Sequence, residues 1–285
     1  MATKPKAATQ VATIEQNTEV ALPEDWQTAL ADEAKDDTAV EQTDMQAFSL
    51  RAGVLSYNDQ PMPNNTMRCI VVASAFEKAM FISKFDPNNI TPPLCFALAP
   101  DGDKMVPHEN SYVKQGPNDT DDKGKEIAGT EKCTGCAQLE WGSDPNSPSG
   151  RGKMCKETRR LGIIPEDALT DGVAKSRAAM LRIPVTSVAN WSSYVHLVAA
   201  TLKRPVWSVV TEIKVEPDPK KQFQVLFSVV DKVQDTNILA ELQPMRERVQ
   251  KSVMNPYALM TEGQYKVIMA PPPPPPSGAK AKKKF

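Results

Sequence analysis

Four cysteines constrain this chain more than any other feature. A Cys-Thr-Gly-Cys turn supplies Cys133 and Cys136, Cys95 lies upstream and Cys155 downstream. Eighteen residues separate Cys136 from Cys155, and thirty-seven separate Cys95 from Cys133, so anything that joins the set draws distant segments together. A Cys-x-x-Cys turn presents two thiolates from one backbone knuckle, and two single cysteines can complete the tetrahedron of a structural zinc site. The chain has five cysteines, an odd number that argues against a closed disulfide framework. Residues 1–16 contain lysines but no apolar run, so no secretory signal is read there and a cytoplasmic, reducing setting is expected. A redox pair is the competing reading of the turn, although no thioredoxin-like βαβ pattern precedes it. A catalytic zinc is not expected, since such sites keep an open position and use His or carboxylate ligands. His108 is the alternative ligand, or else a solvated loop histidine. Cys69, inside the apolar run Met-Arg-Cys-Ile-Val-Val-Ala, reads as a small core residue.

A structural zinc can contribute on the order of 10 kcal/mol of binding free energy to folding. The segment that would gain is the long polar stretch from Pro100 to Lys132, which is rich in Gly, Asp and Asn and has little apolar material of its own.

Around that stretch the pattern is α+β. Phe48 to Tyr57 reads as one strand followed by turn residues Asn58 to Asn65. Met67 to Ala73 is a buried strand, and Phe76 to Phe85 a strand or a helix. Ser176 to Pro184 is a strand, after which Thr186 or Ser187 caps a helix running to about Lys203, with Val188, Trp191, Val195, Val198 and Leu202 on one face. Alternation at Val209, Thr211, Ile213 and Val215, then at Phe223, Val225, Phe227 and Val229, predicts a β-hairpin over 206–230. A second amphipathic helix is expected over Asn237 to Met254, disturbed at Pro244. The sum is a modest antiparallel sheet or barrel with one or two helices and a metal-pinned loop.

Charge is uneven. Net charge is −1, but residues 1–44 hold ten Asp and Glu against three lysines, and Lys280 to Phe285 holds four lysines and no acid. Residues 1–46 are expected to remain a disordered acidic segment, residues 47–260 to form the folded domain, and residues 261–285 to form a polyproline spacer and basic tail. No apolar run approaches the length of a membrane span. Beside the knuckle, Arg151, Lys153, Lys156, Arg159 and Arg160 crowd ten residues with the single acid Glu157. Such clusters neutralise phosphates, or simply form a solvated face. Trp141 either stacks on a base or packs over the knuckle. Trp207, Phe223 and Phe227 read as core.

The segments Phe85-Asp-Pro-Asn-Asn-Ile-Thr-Pro-Pro-Leu-Cys95, Cys133-Thr-Gly-Cys-Ala-Gln-Leu-Glu-Trp-Gly142, Gly152-Lys-Met-Cys-Lys-Glu-Thr-Arg-Arg160 and Leu181 to Val195 resemble a bacteriophage-encoded family over residues 67–232. That family is itself similar to zinc-containing phage single-stranded DNA-binding proteins. The resemblance implies an OB-like domain, Cys95, Cys133, Cys136 and Cys155 as ligands, and a match of Arg159 and Arg160 to the family's basic pair. It also implies single-stranded DNA as partner, alongside phage replication or recombination proteins. One departure is the basic tail, where many such proteins end in an acidic one.

Three function classes compete. The first is single-stranded DNA binding in replication or recombination. The second is a zinc-stabilised module that docks a protein partner. The third, an enzyme, finds no HExxH, Ser/His/Asp set or phosphate-binding Gly loop in the sequence, and no enzyme is expected.

Overall fold

The computed structural model describes residues 45–82, 91–112, 132–147 and 150–269. The chain divides after Asp44 into two units, and all described elements belong to the second. The acidic segment up to Asp44, and the polyproline spacer and basic tail from residue 270 onward, lie outside the described residues.

One long strand organises the fold. The β-branched and apolar run after Thr66 continues as a single strand to Met80, which settles the strand-or-helix ambiguity at Phe76 in favour of strand. The strands are β1 (Gln46–Arg51), β2 (Val54–Tyr57), β3 (Gln60–Pro61), β4 (Thr66–Met80), β5 (Cys95–Ala99), β6 (Cys155–Pro165), β7 (Ala179–Ile183), β8 (Val209–Asp218) and β9 (Gln222–Lys232). They form one sheet in the order β3-β2-β1-β7-β6-β4-β8-β9, with β5 beside β4 off that path. β6 runs along one edge of β4. The other edge is divided, because Thr66 to Cys69 pair with β8 and Phe76 to Met80 pair with β5. β1 pairs with β7 in parallel.

The sheet curls. Its inner face buries Cys69, Val71, Leu161, Ile163, Leu181, Ile183, Ile213 and Val225 against helix α2 (Val188–Leu197), through Trp191 and Tyr194. A shorter helix, α1 (Ala168–Asp171), precedes it. The outer face buries Ile70, Val72, Ala73, Ala75 and Ile164 under Leu242, Met245, Val249 and Val253 of helix α3 (Thr236–Val253). Successive residues of a strand face opposite sides, yet Val72 and Ala73 both face outward. The register shift between Val71 and Ala73 accounts for this, since a bulge sets two residues against one. The curl brings the ends of the strand order together: a Cβ on Gly53, in the β1–β2 turn, would stand 3.2 Å from the Cβ of Phe223 on β9.

Four readings change. Phe48 to Tyr57 is a hairpin and not one strand, because Ala52 and Gly53 both adopt positive φ, as a two-residue hairpin turn requires. An Ala-Gly pair lacks the usual Asn-Gly or Asp-Gly signal. Ser187 stands at the N-cap position without capping the helix by its side chain. Its Oγ instead accepts the Val225 amide at 2.9 Å, while Asn190 Nδ2 donates to the Val225 carbonyl at 2.9 Å. Both bonds tie α2 to strand β9. Asp235 caps α3, accepting the Asn237 amide at 2.8 Å, and Pro244 sits within that helix. Ordered elements also pass both expected domain limits, with β1 starting at Gln46 and helix α4 spanning Glu262–Met269. No helix among the described residues is long and apolar enough to cross a membrane.

Gly162 lets α3 lie directly on β6. A Cβ there would stand 2.2 Å from Val249 Cγ1 and 3.0 Å from Val253 Cγ1. Gly162→Ala is expected to cost about 1–3 kcal/mol in a urea titration, the usual range for overpacking. Adding Val249→Ala should recover part of the loss. A single variant as stable as the original chain would show that α3 does not approach β6 this closely.

Candidate metal centre and nucleic-acid interface

β4, β5 and β6 run past the curled part of the sheet as a three-stranded ribbon, and the four cysteines gather on it. Register places Cys95 of β5 and Cys155 of β6 opposite the same residue, Met80 of β4, one on each side. The Cys133–Cys136 turn lies over the same end. It is shaped by Gly135 at φ 80°, by a Cys136 amide bond to the Cys133 carbonyl at 3.2 Å, and by a Cys133 amide bond to the Met105 carbonyl at 3.2 Å. All four side chains line one pocket with Lys78, Met80 and Leu139. None of the five cysteines forms a disulfide. Burial first, and then the neighbouring Cys95, Cys133 and Cys136, pushes the Cys155 thiol up to about 12.

The donor set suits zinc: four soft sulfurs, no carboxylate in the lining, and a cation, Lys78, beside them. The four cysteines share a pocket, and among the described residues no three His, Cys, Asp or Glu side chains form a metal-holding group. Cys95 and Cys155 sit two strands apart, about 10 Å between Cα atoms, so ligation asks both to lean across Met80 toward the turn. His108 is occupied elsewhere. Its ring stacks on Phe96 at 4.9 Å, and its Nδ1 accepts the Asn110 amide at 3.0 Å. His196 is exposed on α2, and Cys69 is buried in the core as expected.

The basic run does not form one surface. Arg160 is a correction: expected to face a ligand, it is 3 % exposed. Alternation along β6 turns it to the outer face, beneath the residues that follow α3, where its Nη1 donates to the carbonyls of Val253 and Asn255. Arg159 faces the other way, its guanidinium 3.7 Å from the Phe76 ring centroid. Lys156 pairs with Asp144 at 2.9 Å and Lys153 with Glu157 at 2.8 Å. Trp141 is 76 % exposed, which excludes the packed mini-core. The Lys153 ammonium lies 5.0 Å from its ring centroid, and Arg151 lines the same depression across Gly142 and Gly150.

Sequence reading missed a buried charged cluster centred on Glu77, which is 1 % exposed. Its carboxylate accepts from Arg160 Nη2 at 2.7 Å, Arg182 Nε at 2.8 Å, Thr158 Oγ1 at 2.7 Å and Tyr257 Oη at 2.5 Å. Burial pushes its pKa up, but Arg182 and Arg160 more than offset this, and the carboxyl is held below its ordinary range. A signal was present. Ala73, Ala75, Glu77 and Ala79 alternate along one strand, so the acid falls in a row of small buried residues and calls for a cation.

Comparison with protein-family models, with curated proteins and with solved structures yields no match.

Proposed function

We propose that the chain binds single-stranded DNA, acting by binding alone in phage replication or recombination, with a structural zinc on Cys95, Cys133, Cys136 and Cys155. The observation that carries the reading is Trp141. A large ring left 76 % exposed, with an ammonium over its face and an arginine beside it, is the equipment for stacking a base and holding its phosphate.

The strand order supports it. Taken alone, β7-β6-β4-β8-β9 with a helix between β7 and β8 is the order expected of a five-stranded oligonucleotide-binding barrel. In such barrels the connection between the first two strands contributes to the ligand site. Here that connection runs from β4 to β6 and contains β5, the cysteine turn and Trp141. The zinc would fix this insertion and with it the ring.

Trp141→Ala is expected to weaken binding of a labelled single-stranded oligonucleotide by about 1–3 kcal/mol, as loss of one stacked base does, and to leave the melting temperature unchanged. Fluorescence anisotropy at two salt concentrations, with duplex as control, measures it. Equal affinity of the variant, or equal preference for duplex, would overturn the reading. Salt-insensitive capture of a protein partner would favour a docking module in its place.

A further inference from the structure

The buried cluster around Glu77, on the outer face of β4, β6 and β7, sets two cations against one carboxylate. Glu77 is the carboxylate, and Arg160 and Arg182 are the guanidinium groups set against it. Tyr257 stays neutral, its phenol pushed up to about 12 by burial and then by Glu77. Arg160 is spent, buried and bonded to Glu77 and two carbonyls. Arg182 differs. Its side chain is 43 % exposed, and it reaches Glu77 through Nε at 2.8 Å and Nη2 at 3.3 Å. A guanidinium carries five N–H donors in a fixed fork, so two nitrogens turned to one carboxylate leave donors for an anion.

Phe81 directly follows Met80, the last residue of the strand that carries Glu77 and Ala79, and its ring lies on their face against Tyr257, the partner of Glu77. It is 39 % exposed. Its ring meets Tyr257 edge to face with centroids 6.1 Å apart, and the Arg182 guanidinium lies 5.6 Å from the same Tyr257 centroid. An exposed ring and a surplus cation thus flank one anchored tyrosine.

We propose that Arg182 and Phe81 form a subsite for one nucleotide of single-stranded nucleic acid, Arg182 holding the phosphate and Phe81 stacking the base. This rests on the function proposed above and extends it from the cysteine lobe to the sheet. Oligonucleotide-binding barrels use the face of their second and third strands. Here α3 and the residues after it cover β6 on that face, which leaves β7, with Arg182, as the open part. The subsite adjoins the ends of β4 and β6, where the lobe begins, so one strand of nucleic acid would meet Arg182 and Phe81 and then Trp141.

The test titrates the full chain with labelled oligothymidylate over a range of salt. Arg182→Gln should reduce the slope of log affinity against log salt by about 0.7, the effect of one phosphate contact on a single strand, and Arg182→Lys should keep the slope. Phe81→Ala, which removes an exposed ring and leaves Glu77 and its partners in place, should weaken binding about 5- to 150-fold at unchanged slope. If Trp141→Ala weakens binding while Arg182→Gln and Phe81→Ala bind as the original chain does, the subsite is overturned and the proposed function stands. If both Arg182 variants lose affinity with no change of slope, the arginine is structural and the subsite is likewise overturned. If the original chain does not bind the oligonucleotide, both proposals fall.

Discussion

Glu77→Gln is expected to lower the unfolding free energy by about 3–5 kcal/mol, the range for removing one partner of a buried ion pair. The amide cannot balance Arg160, which sits 3 % exposed with the Glu77 carboxylate at 2.7 Å. Arg182 can turn to water, and Arg160 cannot. Urea denaturation measures the loss. Glu77→Leu with Arg160→Met should recover much of it, since apolar residues of similar volume often replace a buried pair at little cost. Recovery will be incomplete, because the Val253 and Asn255 carbonyls lose their donor.

The same pair makes stability depend on pH. Glu77 has a lowered pKa in the folded chain, whereas an unfolded glutamate titrates near about 4.3. Its contribution is therefore whole above that value and is lost as pH falls through the lower folded pKa. The stability gap between the original chain and Glu77→Gln should be constant from neutral pH down to about 5 and shrink below it. A gap that widened on acidification would contradict the assigned direction.

Cys133→Ser is expected to have the second large effect. Chain prepared under reducing, metal-replete conditions should carry about one zinc by elemental analysis, and the variant should carry almost none, because four thiolates close the tetrahedron and three leave it open. Zinc in small cysteine sites contributes on the order of 10 kcal/mol of binding free energy. Loss of it should free the lobe between β5 and β6 and make it a site of proteolysis, with the curled sheet still folded on its own core. Cys69→Ser is the control, since that residue lies in the core away from the pocket. Zinc retained in Cys133→Ser, or absent from the original chain, would remove the site.

Much of the scaffold was legible because local patterns report on it directly. The alternation of Val209 to Val215 and of Phe223 to Val229 became β8 and β9, and the spacing of Val188, Trp191 and Val195 became the face that α2 turns to the core. These patterns survive folding because each depends only on which side of one element meets the core. The hairpin at Ala52–Gly53 was missed because its turn lacks the usual residues, and the strand-or-helix ambiguity at Phe76 arose because both faces of that segment are covered, Glu77 included, so no apolar–polar alternation marks it.

The site divides in the same way. Sequence by itself singled out the four cysteines that the fold gathers on one pocket, since the Cys-x-x-Cys spacing is a local fact, and it singled out Trp141 as an aromatic beside cations. It could not say which cations remain at the surface. Arg159 and Arg160 are neighbours in sequence, and only the tertiary structure sends one to the inner face against Phe76 and the other beneath Val253 and Asn255. Arg182 and Phe81, about a hundred residues apart in the chain, meet only because β4, β6 and β7 are adjacent and Tyr257 closes over them. A side chain's type and its face on a strand are properties of a few residues, whereas whether that face meets water, a carboxylate or a helix depends on what the rest of the chain lays across it.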